Sequence, residues 1–203
     1  MAPIRFTRLA GLFGLLTPIV ILTLVFVAVG LSPWFNWHTD ALSDIGVSDT
    51  PQLFNTSLLI GGLMYLVFVI GFLRWHGLQS GLARSAAFFM LAGGLGLILI
   101  GLVTEEAGRL HYVVAATYFL ATPVAYLLLG LDWQRRGRKL LGFLTLAAGM
   151  AAFLLIALVP HRGLAVPEIL ASVVLGAWTL SLGLKMLIEP ELHDEQTQPT
   201  VQR

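Results

Sequence analysis

Six apolar runs, each about twenty residues or longer, are separated by short polar segments, and that pattern leaves this chain few ways to fold. The runs fall at about 9–31, 52–73, 85–104, 110–130, 140–159 and 168–188. Each is long enough to cross the ~30 Å hydrocarbon layer of a bilayer. Inside that layer every backbone N–H and C=O needs an internal partner, and an unbroken run of this length finds them only as an α-helix. The expected fold class is all-α: a polytopic integral membrane protein, a compact bundle of six transmembrane helices. Residues 1–188 form its single domain and 189–203 a polar tail. Only 11% of the residues are charged, against about a quarter in soluble domains. No separate soluble domain fits in what remains, so any chemistry belongs to loops and helix ends.

The polar segments are not alike. One set holds Arg5, Arg8, Arg74, Arg84, Arg135, Arg136, Arg138, Lys139, Lys185 and Arg203, whereas the alternate set holds only Arg109 and Arg162. Lys and Arg concentrate on the cytoplasmic side of membrane proteins. The bias predicts both termini in the cytoplasm and a multi-pass protein of the plasma membrane. The basic run Arg135–Lys139 abuts a span and reads as an anchor at the lipid surface, not as a nucleic-acid site. Arg5 and Arg8 before an apolar run imitate a signal peptide, but the run outlasts a signal core and no small-x-small cleavage site follows it. It is taken as the first span. The absence of cysteine removes disulfides, thiolate nucleophiles and Cys-based metal centres.

Local signals refine the picture. Thr50-Pro51 predicts an N-cap and first helical residue for the second span, and Pro167-Glu168 does the same for the sixth. Trp34 and Trp37 are expected at the outer interface, and Trp75 and Trp133 at the inner one. His76 and His193, on the cytoplasmic side, are expected to be solvated. Pro18 and Pro123 fall inside spans and should kink them. Gly61-Gly62, Gly93, Gly94, Gly96 and Gly101 would let helices approach closely.

The first outer loop, about Ser32 to Thr50, carries too many aromatic and aliphatic residues for a purely solvated segment. It predicts a stretch packed over the mouth of the bundle. Ser43-Asp44 before Ile45-Gly46 suggests a capped turn, with Gly46 free to take positive φ. Asp44 either caps that turn or points into a polar pocket. The string Leu42-Ser43-Asp44-Ile45-Gly46, followed by Leu53-Phe54-Asn55, resembles the signature of a prokaryotic six-span family of unknown function. It bears a distant likeness to the damage-regulated autophagy modulator (DRAM) family, with its Ser-Asp-x-Gly element after the first span. The resemblance implies the same six-span topology and points at Ser43, Asp44, Gly46 and Asn55, but it implies no mechanism.

Two further outer segments hold ionisable residues. Glu105 and Arg109 are spaced for a surface ion pair. His111 begins a face that continues through Ala115, Tyr118 and Thr122, and Glu168 begins one through Ser172, Gly176 and Thr179. Polar stripes on membrane helices face protein rather than lipid. Between them lies Pro160-His161-Arg162-Gly163. These residues define a candidate pocket opening outward: Ser43, Asp44, Asn55, Glu105, Arg109, His111, Tyr118, His161, Arg162, Glu168 and Ser172. A polar mouth over apolar walls suits a membrane lipid or other amphiphile, with Arg109 or Arg162 placed for a phosphate. The alternative is a zinc-dependent membrane hydrolase with His111, His161, Asp44 and Glu168 as ligands. No two histidines have the short spacing of a zinc motif, and zinc enters only under that alternative. A third reading is a structural subunit, partnered with copies of itself or with other membrane proteins. No ionisable residue falls near the middle of a span, which argues against ion-coupled transport and deeply ligated haem.

Overall fold

The computed structural model describes residues 2–160 and 162–190, with side chains from residue 4 onward. His161, His193 and the predicted tail beyond 190 lie outside the described residues. Six α-helices account for most of the described residues: α1 (Ala2–Gly30), α2 (Pro51–His76), α3 (Gly81–Leu102), α4 (Arg109–Arg135), α5 (Lys139–Leu158) and α6 (Ala165–Ile188). All six are long and apolar enough to span a membrane. Successive helices pack side by side, and α6 returns to close against α1. Loops 31–50 and 103–108 and the described residues of the α5–α6 connection thus gather at one end, here the capped end. The tight turns 77–80 and 136–138 lie at the other, the basic end.

Close backbone contact explains why the bundle is compact. At the α1–α6 crossing a Cβ on Gly183 would stand 2.5 Å from Leu15 N and 2.6 Å from Gly11 O. Gly130 of α4 and Gly142 of α5 similarly meet backbone to backbone. Without a hydrophobic drive between helices in lipid, such approaches supply the dispersion contacts that hold spans together. Toward the basic end the interior is filled by Phe68, Phe72, Met90, Leu129, Trp133, Leu182 and Met186. Toward the capped end, Val25, Phe54, Leu58, Leu97, Ile100 and Ile169 surround Leu42 and Ile45 from the loop.

That loop is the main departure from plain helices. A short 3-10 helix, Leu42–Val47, lies across the end of the bundle. Ile45 is wholly buried and Leu42 nearly so, which accounts for the loop's apolar content. Gly46 does not take positive φ; among the described residues only Gly77, Gly108 and Gly137 do. Glycine is required at 46 because a Cβ would stand 2.5 Å from Asn55 Oδ1, whose amide donates from Nδ2 to Gly46 O at 2.8 Å.

Helix ends also shift from expectation. Thr50 and Pro51 do open α2, although the Thr50 side chain makes no capping hydrogen bond. By contrast α6 begins at Ala165, so Pro167 and Glu168 sit inside its first turn. The extra residues become helical because Asp40 O accepts from Ala165 N at 3.0 Å, while His38 O accepts from Gly163 N at 2.9 Å. The cap thus satisfies backbone donors that would otherwise be orphaned at a helix start.

Candidate functional site

The cap and five helices enclose a cavity that begins beneath Leu42 and Ser43 and runs toward the middle of the bundle. About 80 Å³ of it is open to the centres of water-sized molecules, several times what one water requires. α1 contributes Ile21, Leu22 and Val25, α2 contributes Phe54 and Leu58, and α3 contributes Leu97 and Ile100. From α4 come His111, Ala115, Tyr118 and Thr122, and from α6 Glu168, Ser172, Gly176 and Thr179. Both polar stripes expected on these helices therefore face one space. α5 contributes no lining residue and packs outside, against α4 and α6.

The acidic groups and the histidine are concentrated at the capped end. Asp44 Oδ2 accepts from Ala41 N at 2.8 Å, which closes the turn. Its carboxyl also lies close to that of Glu105, so Asp44 both caps and meets the cluster. Ser43 Oγ donates to Glu105 Oε1 at 2.8 Å. Leu42 N donates to Glu168 Oε2 at 3.0 Å. Burial, reinforced by the neighbouring Asp44 carboxyl, pushes the Glu105 carboxyl up to about 7, against the opposing hydrogen bond from Ser43. Glu105 therefore makes no ion pair with Arg109. It lies in a 3-10 turn (Glu105–Ala107), and Gly108 at φ 58° redirects the chain before α4 starts.

Glu168 and His111 are more than nine-tenths buried. His111 Nδ1 lies 2.6 Å from Val103 O. A carbonyl only accepts, so Nδ1 carries a proton, and in the neutral form of the ring Nε2 is then an acceptor. Among the described residues Glu168 Oε1 and His111 Nε2 make no hydrogen bond. Both side chains line the cavity.

Of the remaining candidates, Asn55 supports the cap through Gly46. Arg109 is exposed. Arg162 borders a separate hollow of about 700 Å³ with Asn36, Trp37, His38 and Pro160. Neither arginine lines the cavity. No group of three His, Asp or Glu side chains is placed to hold a metal ion among the described residues. The zinc set named from the sequence included His161, which lies outside them.

Sequence reasoning missed a second polar centre, at the basic end. His76 is buried, not solvated: its Nε2 lies 2.9 Å from Asp132 Oδ2, and its ring stacks on Phe72. Arg136 Nε approaches the same carboxylate oxygen at 2.7 Å, and Ser80 Oγ donates to Asp132 Oδ1. Trp133, expected at the interface, is wholly buried, edge-on to His76. His76 and Asp132 are 56 residues apart, and no spacing rule links them. The centre ties α2, α3 and α4 together where they emerge from the core.

A family model described as a protein of unknown function, DUF998, matches residues 15–185. The chain belongs to this DUF998 family. The match runs from within α1 to within α6, so it takes in the cap and almost all of the cavity. No curated protein and no solved structure matches the chain.

Proposed function

We propose that the cavity binds a lipid or other amphiphile, with the polar end beneath the cap and the apolar chain along the interior of the bundle. The observation that carries this reading is the polarity gradient of one enclosed space. Ser43, His111 and Glu168 stand at its capped end, and the remainder of the wall is mostly aliphatic and aromatic, interrupted by the uncharged hydroxyl side chains of Thr17, Tyr65, Tyr118, Thr122, Ser172 and Thr179. Buried polar atoms fix orientation in such sites, and apolar walls supply most of the affinity. The ten-to-two bias of Lys and Arg supports an orientation with both termini in the cytoplasm of a plasma-membrane protein and the cavity mouth outside. The protein then binds or senses its ligand at the outer face. The likeness of Ser43–Gly46 to the DRAM family adds no mechanism to this reading.

The test is native mass spectrometry of protein released gently from its membrane. The wild type should carry a bound amphiphile. Ala115→Trp and Ser172→Trp, which place an indole in the cavity, should lose it. Thr117→Trp, on the opposite side of α4, should keep it. Retention by both cavity variants, shown to be folded by an unchanged thermal transition, contradicts the proposal.

A further inference from the structure

We infer that the ligand's polar end is a primary ammonium: the cavity takes a single-chain alkyl amine rather than a phosphate- or carboxylate-headed lipid. The inference rests on the amphiphile reading above and specifies its head group. Glu168 Oε1 and His111 Nε2 line the cavity without a hydrogen-bond partner, on side chains more than nine-tenths buried. Ser43 Oγ uses its proton on Glu105 and keeps its lone pairs. At the capped end each of these atoms offers an acceptor; the unpartnered hydroxyls of Tyr65 and Thr122, which can donate, line the cavity farther along α2 and α4. Among the described residues no Lys or Arg lines the cavity. A phosphate or carboxylate would bring further acceptors and its own negative charge to a mouth that already holds the carboxyl groups of Asp44, Glu105 and Glu168, with no cation on the described lining to meet it. An ammonium brings three N–H donors and a counter-charge for the buried Glu168 carboxyl, whose ionised form is costly to leave unpaired. From Glu168 to Thr179, both on the lining, α6 rises about 16 Å at ~1.5 Å per residue, a depth that accommodates an extended alkyl chain.

The experiment uses the full chain in phosphatidylcholine nanodiscs, titrated calorimetrically with dodecylamine, dodecyltrimethylammonium, dodecanol and dodecanoate, with empty nanodiscs subtracted. Dodecylamine should bind about tenfold or more tighter than dodecanol, as expected for charge-assisted hydrogen bonds. Dodecanoate should bind weakest. Dodecyltrimethylammonium, which has charge but no N–H donor, should fall below dodecylamine. Glu168→Gln should reduce the amine to the level of the alcohol and leave the alcohol unchanged. If the alcohol or the carboxylate matches the amine, or trimethylation costs nothing, the amine assignment is overturned while the amphiphile site stands. If no probe binds above the empty discs, both fall. The ligand series reads the wild type alone and holds even where the variant does not fold.

Discussion

At Gly46 a single added carbon would stand 2.5 Å from Asn55 Oδ1 and displace the amide that holds the cap. Gly46→Ala should therefore lower stability by about 1–3 kcal/mol, the usual cost of over-packing, read as a fall in the thermal transition of the purified protein. Glu105 makes a different prediction. Its carboxyl titrates near 7 in the fold against 4.5 ordinarily. Between those values the folded state keeps a proton that the unfolded chain has released. Its contribution is full below about 4.5 and is lost as pH rises through 7. Denaturant titrations across that window should show a slope that Glu105→Gln reduces. An identical slope in the variant would place the titration elsewhere. His111, Glu168 and Ser172 were legible as cavity residues because helical period carries each onto one face. The partner of Glu105 was not. Arg109 has the correct spacing for a continuous helix, but the 3-10 turn and Gly108 break it, and Ser43 and Asp44 arrive from a loop some sixty residues away.

Among the elements, the spans were readable almost to their ends, since apolar runs in lipid have only one backbone solution. The ends themselves depended on contacts between elements. α6 starts early because the cap offers Asp40 O to Ala165 N, an acceptor that no local sequence announces. α2 and α4 run on to His76 and Arg135 because Asp132, His76, Ser80 and Arg136 satisfy one another there. Asp132→Ala would leave His76 buried without its partner and remove the acceptor shared by Ser80 and Arg136. The expected loss is about 3 kcal/mol, the lower end for breaking a buried ion pair, because Arg136 is partly solvated. Steady unfolding in mixed micelles checks it. Asp132→Asn, which keeps an acceptor, should lose less.

For the whole molecule, the ring of α1, α2, α3, α4 and α6 leaves a space that the cap covers and α5 does not enter. The six-helix class followed from the sequence, and so did the two inward polar stripes. The apolar remainder of the lining did not, because every face of a membrane helix is apolar and periodicity cannot separate lipid-facing leucines from cavity-facing ones. The central claim is that this space, not the lipid-facing surface, takes an amphiphile's chain. The most direct measurement is photo-cross-linking in nanodiscs with a dodecyl chain bearing a diazirine at its far end, followed by peptide mapping. The account predicts labels on Ala115, Tyr118, Ser172 and their neighbours in the cavity, competed by unlabelled amphiphile and lost in Ser172→Trp. Labels spread over the outer faces of α3 and α5, unchanged by competitor or by the cavity variant, would contradict it.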